Sequence, residues 1–398
     1  MRKAAWLLGV AAIVATPAVA EAASSEATCS VSAALVGMLG VDNPACHAGS
    51  EGVQVRFDGL AANRSLALRD VTSTHWPADF RQGDSGPVLA WLYASASAQR
   101  GWWGVETFVR EDAWFHGDAN SLQLYYDSQS GNFASVRGTQ AFAYQLATFQ
   151  AQGVKLRAVG SWASASGEQL ALGADVELLR GSSLHLDTAA GTVSGTSAAA
   201  VLDGSRTLVN TGLPALNSSS SFNDFVPSSA QDVGAGTGWG IDLGMHWRSS
   251  GGLRLSLAAN DLLANLRWPN APLVQQTVSQ LQVPVTEVFG HTSISGLDAY
   301  QSVRVHLAPR YAAQAAYGWR GWTWFGSYEQ THGYGFPGLG IAREWSGHWL
   351  AVASLDLRYH SSELLLQHDG WRLGLRSDVL SPRSAKVFGW VLEWSHSL

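Results

Sequence analysis

A serine set between an aspartate and a glycine is the first place to look for covalent chemistry. Gly83-Asp84-Ser85-Gly86-Pro87 is such a place. A serine nucleophile needs a histidine base and a carboxylate that orients it. The preceding histidines, His47 and His75, lack suitable surroundings, and Gly, Asp and Ser are also the residues that turns prefer. The stretch therefore reads as a turn between strands. The sequence has no Gly-x-Ser-x-Gly elbow, Walker loop or His-Glu-x-x-His pair. Gly234, Gly236, Gly238 and Gly240 lack the dinucleotide spacing and open a strand, not a helix.

Charge is the better-supplied chemistry. Arg248, Arg254, Arg304, Arg310, Arg358, Arg372 and Arg376 fall at alternate positions with apolar neighbours between them. Asp175, Glu177, Asp242, Asp356, Asp378 and Glu393 do the same, and His246, His306 and His348 share their face. Gathered inside a barrel, such groups could guide a polar solute. They could equally pair with one another and fill a closed lumen. Both signs are present, which favours pairing. The histidines sit on unconnected strands with no metal-ligand spacing, so no metal or other cofactor is expected.

The elements that would position these groups are strands. From Gly238 to Asn260 the chain alternates strictly. Trp239, Ile241, Leu243, Met245 and Trp247 take one face; Asp242, His246, Arg248 and glycines take the other. A break at Ser249-Ser250-Gly251-Gly252 separates two arms, which makes a hairpin. Each arm is long enough to cross a bilayer when tilted. An apolar face opposite a polar one reads as lipid outside and lumen inside. The composition agrees. Only 14% of residues are charged against 46% hydrophobic, well below the charge of soluble domains, while a mean hydropathy of +0.01 excludes a bundle of membrane helices. The 18 Trp suit aromatic girdles. A net charge of −6 leaves no basic footprint for nucleic acid.

Arg2 and Lys3, the apolar run Ala4 to Ala15 and Ala18-Val19-Ala20 form a secretory signal over residues 1–20. Export places Cys29 and Cys46 in an oxidising compartment, where a disulfide between them is expected. Residues 21–50 form this stapled N-terminal segment, either a plug or a plain tail. Residues 51–398 form the barrel. Two stretches break its regularity: a Ser/Thr/Gly-rich loop over 181–237, and an insertion over 269–300 with a short helix between its prolines. The fold class is all-β: a transmembrane antiparallel barrel of roughly 12–14 strands.

The run Gly238-Trp239-Gly240-Ile241-Asp242-Leu243-Gly244, then Leu253 to Leu257, Asn260-Asp261-Leu262 and Trp268, resembles FadL-like outer-membrane proteins and the TraF-type conjugal-transfer barrels. Gly389, Leu392 and Trp394 resemble the C-terminal signal read by the outer-membrane assembly machinery, although Val387 and the terminal Leu398 depart from it. The resemblance implies a non-enzymatic Gram-negative outer-membrane barrel surrounded by lipid. It implies a channel or transporter for a small or hydrophobic solute. The alternative is a structural or assembly component of a secretion, conjugation or surface-appendage system.

Overall fold

The computed structural model describes residues 39–63, 67–68, 87–118, 120–121, 138–195, 199–211, 234–284, 294–345, 349–381 and 384–398. The expected signal segment, Cys29, Gly83 to Gly86 and His348 lie outside these. Among the described residues there are sixteen strands, all paired antiparallel. In chain order they are β1 (Glu51–Ala62), β2 (Val88–Arg100), β3 (Trp103–Gly117), β4 (Gly138–Ala163), β5 (Gln169–Gly195) and β6 (Ala199–Asn210). Then come β7 (Gly236–Arg248), β8 (Leu253–Pro284), β9 (Ile294–His306), β10 (Arg310–Trp319), β11 (Trp322–Thr331) and β12 (Tyr334–Trp345). The series ends with β13 (Trp349–Asp356), β14 (Ser362–His368), β15 (Trp371–Ser377) and β16 (Val387–Ser397).

Fourteen of them close a ring. It runs from β10 through β16 to β1, on through β5 to β7 and β8, and back to β10. Closure leaves none of the fourteen as an edge strand, the condition for a sheet to cross a bilayer. The remaining two strands add height. The first half of β5 pairs with β7 and its second half with β6. In the same way β8 pairs first with β10 and then with β9. The wall is therefore tall from β3 to β9 and short from β10 to β16.

Two expectations are corrected here. Much of 181–237 is not loop: β5 continues to Gly195, and β6 follows. Its small residues suit close strand pairing, as where Gly191 faces Gly204 across the ladder. Nor is 269–300 a helical insertion, since β8 runs to Pro284 and β9 starts at Ile294. The register shift between Trp268 and Ala271 absorbs Pro269, as bulges do for a residue without an N–H.

The short turns share one rim, among them Gly101-Trp102, Ser164 to Glu168, Ser249 to Gly252, Arg320-Gly321 and Asp369-Gly370. In membrane barrels that rim is periplasmic. Trp102, Trp162, Trp319, Trp345, Trp349 and Trp371 are exposed beside it and form an aromatic girdle. Between this girdle and mid-wall the outer face carries exposed Leu156, Leu172, Val176, Leu178, Leu243 and Leu257, a surface that only lipid would favour.

Candidate functional site

The lumen is filled from the short-turn rim upward in layers, and β5 passes through all of them. At Gly173 it meets the N-terminal segment. Asp42 to Ser50 lies against the inner wall, with a 3-10 turn over Pro44–His47 capped by the Asn43 side chain. Proline at the first turn position is pre-set for this geometry. Pro44 and Ala45 press on Gly173, and Asn43 and Pro44 on Gly244; a Cβ at either glycine would overlap the segment. The Asn43 amide donates to the Met245 carbonyl (3.2 Å) and to Ser256 Oγ (2.7 Å). The Asp42 N–H donates to Asn260 Oδ1 at 2.7 Å, and the Asn260 amide returns a bond to the Asp42 carbonyl at 3.0 Å. Arg310 donates to the Leu39 carbonyl at 2.9 Å.

The next layer is ionic. Lys155 on β4 bridges Glu177 and Asp242, each at 2.7 Å. Arg157, two residues on, binds Asp175 (2.8 Å), Glu106 (3.3 Å) and Asp42 of the plug (2.9 Å). Asp175 and Asp242 are direct ladder partners on β5 and β7, an unfavourable like-charge pair that the two cations offset. Arg110 on β3 reaches across the lumen to Asp261 on β8 at 2.6 Å, and Arg310 holds the same carboxylate at 2.9 Å. Asp261 has a left-handed backbone (φ 58°) in the bulged part of β8, which is what turns its carboxylate inward. Lys155 also lies over the Phe108 ring at 5.4 Å. Burial would raise the Asp42 carboxyl, but His47 and Arg157 beside it hold it well below its ordinary value of 3.8.

Above the ions the lumen becomes apolar. Phe108, Leu179, Leu184, Leu266, Trp268 and Leu307 form one buried cluster. Trp268 is completely buried and lies over Gly181 and Gly236, where no side chain would fit.

The candidate residues divide accordingly. Asp242 and Arg310 belong to the ionic layer, and His246 is buried on the same inner face of β7. Arg248 and Arg254 are ladder partners near the short-turn rim. Arg372 pairs with Glu393 at 2.9 Å and Arg376 with Glu363 at 2.7 Å on the short wall. Asp356 caps the β13–β14 turn through the Tyr359 N–H; Arg358 donates to the Gly335 carbonyl and lies over Tyr334. Arg304 and His306 are corrected. Both are exposed on the outer face, while Val303 and Val305 turn inward against the Trp268 cluster. Reading Ser302 to Ala312 as one strand puts Arg304 and Arg310 together. The irregular Leu307-Ala308-Pro309 link between β9 and β10 shifts the parity, and a one-residue slip exchanges the two faces.

The site residues that sequence reasoning did not name as such are Arg110, Lys155, Arg157 and Asp42 and Asn43 of the plug, together with Asn260 and Asp261, which entered only as part of the family resemblance. The first three alternate with apolar neighbours in β3 and β4, but nothing in the sequence showed that they join one ionic layer or that Arg157 reaches Asp42. Among the described residues no group of metal-ligating side chains is assembled.

A closed antiparallel ring with a lipid-facing exterior, an aromatic girdle and a polar, plugged interior defines an integral outer-membrane β-barrel. The sequence profile of a family of unknown function, DUF5723, matches residues 90–282. A comparison with curated proteins finds no match. Among solved structures, a deltaS2S3 mutant of the TodX monoaromatic hydrocarbon channel is similar, with 13% identity and a TM-score of 0.46 over 90% of this chain and 93% of that one. The P. putida toluene transporter TodX has 12% identity and a TM-score of 0.42, with 90% and 93% covered. A Pseudomonas aeruginosa FadL homologue has 10% identity and a TM-score of 0.21, with 89% and 91% covered.

Proposed function

We propose that the protein is a passive, non-enzymatic outer-membrane channel for a small hydrophobic solute, gated by its N-terminal segment. The carrying observation is the buried apolar layer around Trp268 inside the lumen. An interior built only to hold water or ions has no use for it, whereas aromatic and aliphatic walls suit an apolar guest. Beneath it, Leu39 and Val41 pack into an apolar cluster with Leu60, Trp91 and Phe336, while Asp42 to Ser50 is joined to the wall by hydrogen bonds and the Asp42–Arg157 ion pair. Contacts of that kind can be exchanged for solvent when the segment moves. The disulfide expected between Cys29 and Cys46 remains part of this proposal.

The test is uptake by proteoliposomes of a neutral aromatic hydrocarbon against a sugar of similar size. Faster hydrocarbon uptake than in protein-free vesicles supports the channel. Equal rates with and without protein, also after removal of residues 21–50, would leave the barrel as a static component of a surface assembly.

A further inference from the structure

The corrected face of β9 exposes a feature of the outer wall. Arg180 on β5, Thr237 on β7, Arg267 on β8 and Arg304 on β9 occupy one rung of the sheet, each the ladder partner of the next. All four are exposed and point away from the lumen, since Leu179, Leu266, Val303 and Val305 beside them pack inward. Arg267 and Arg304 face each other directly, a like-charge pair that costs stability unless something supplies negative charge. Arg267 donates to Ser302. Among the described residues, none of the three arginines forms an ion pair. The nearest outward carboxylate in register is Glu111 on β3, two strands from Arg180 and one pair further along.

The height of this rung gives its meaning. Towards the short-turn rim the same face carries Leu178 (55% exposed), Trp239 (44%) and Leu263 (72%). Beyond the rung it carries exposed Ser182 and Ser302. The arginines therefore stand where the apolar belt ends, on the side away from the periplasmic turns, at the headgroups of the outer leaflet. In a Gram-negative outer membrane those headgroups are phosphorylated glycolipid. Guanidinium groups bind phosphate by paired charge-assisted hydrogen bonds, and adjacent strands bring neighbouring ones within about 5 Å.

We propose that Arg180, Arg267 and Arg304 bind the phosphate groups of an outer-leaflet glycolipid on the lipid-facing wall. The proposal rests on the outer-membrane setting and is independent of what crosses the lumen.

The experiment uses the full-length mature protein in phosphatidylcholine nanodiscs doped with bisphosphorylated lipid A, and native mass spectrometry reads the lipid retained. Wild type should retain lipid A over its dephosphorylated form. Arg267→Gln with Arg304→Gln should lower retention about tenfold, with heat-modifiable gel mobility unchanged. Arg304→Glu pairs with Arg267, so it should keep or raise the unfolding temperature while abolishing retention. Equal retention by wild type and the double variant, equal retention of the dephosphorylated lipid, or equal retention of phosphatidylglycerol would each overturn the proposal. Hydrocarbon uptake is a separate readout, so either reading can fail alone.

Discussion

The two walls of the barrel handle charge differently. On the short side, Arg372 and Glu393 are ladder partners, and so are Arg376 and Glu363. Each pair joins adjacent strands, and the interior beside them is apolar, with Leu350, Val352, Leu365 and Val391 buried together. On the tall side the ladder pairs Lys155–Glu177 and Arg157–Asp175 also exist, but each cation takes further carboxylates from other strands or from the plug. Arg110 and Asp261 join strands that are not neighbours. A pair along one ladder rung only has to hold a wall. A shared network ties wall, bulge and plug into one unit, so a change at one residue reaches the others. In the proposed channel the short wall is scaffold, and the tall wall makes most of the polar contacts to the segment that moves.

That contrast predicts unequal losses. Lys155→Met leaves Glu177 and Asp242 buried with no shared cation, and breaking such a set costs about 3–5 kcal/mol. Arg372→Met strands a single carboxylate, Glu393, and removes the bonds Arg372 donates to Gln367; with one carboxylate left instead of two, the expected loss is smaller, about 1–3 kcal/mol. Denaturant unfolding followed by tryptophan fluorescence measures both, and equal losses would erase the distinction between the walls. Gly244→Val is expected to act on the plug alone. Its side chain overlaps Asn43 and Pro44, an overpacking of about 1–3 kcal/mol that displacement of the segment relieves. Hydrocarbon uptake should rise while the barrel's unfolding midpoint stays near wild type. A collapse of the midpoint instead would show the plug to be part of the scaffold.

How much of this was legible depends on the range of the interaction. The hairpin Gly238 to Asn260 was readable because strand parity is local, and the charges of β15 and β16 could be placed inside for the same reason. Parity failed at Arg304, where Leu307-Ala308-Pro309 slips the register; a proline in an otherwise alternating run was the only hint. The 181–210 stretch was misread because small, turn-prone residues look alike in a loop and in a strand whose hydrogen bonds come from neighbours. The plug's attachment could not be read at all. Asp42 and Arg157 are far apart in sequence and meet only after the ring closes, and Asn43-Pro44-Ala45 gains its role from two glycines on β5 and β7.

The smallest expected effect is the one that separates plug from wall by pH. The Asp42 carboxyl is held well below 3.8 in the folded protein. A depressed value means the carboxylate's contribution is fully present above the unfolded value and is lost only as pH falls through the folded one. Mild acid near pH 5 should therefore leave the plug seated, and its attachment should weaken progressively as pH falls below 3.8. Asp42→Asn removes the charge while keeping an amide, so it should weaken the attachment by about 1 kcal/mol at neutral pH and abolish the acid transition. The readout is proteolysis of residues 39–50 in intact proteoliposomes, with the barrel's gel mobility as control. If the wild-type segment is released at pH 5, or if Asp42→Asn keeps the acid transition, the Asp42–Arg157 contact is not what holds the plug to the tall wall.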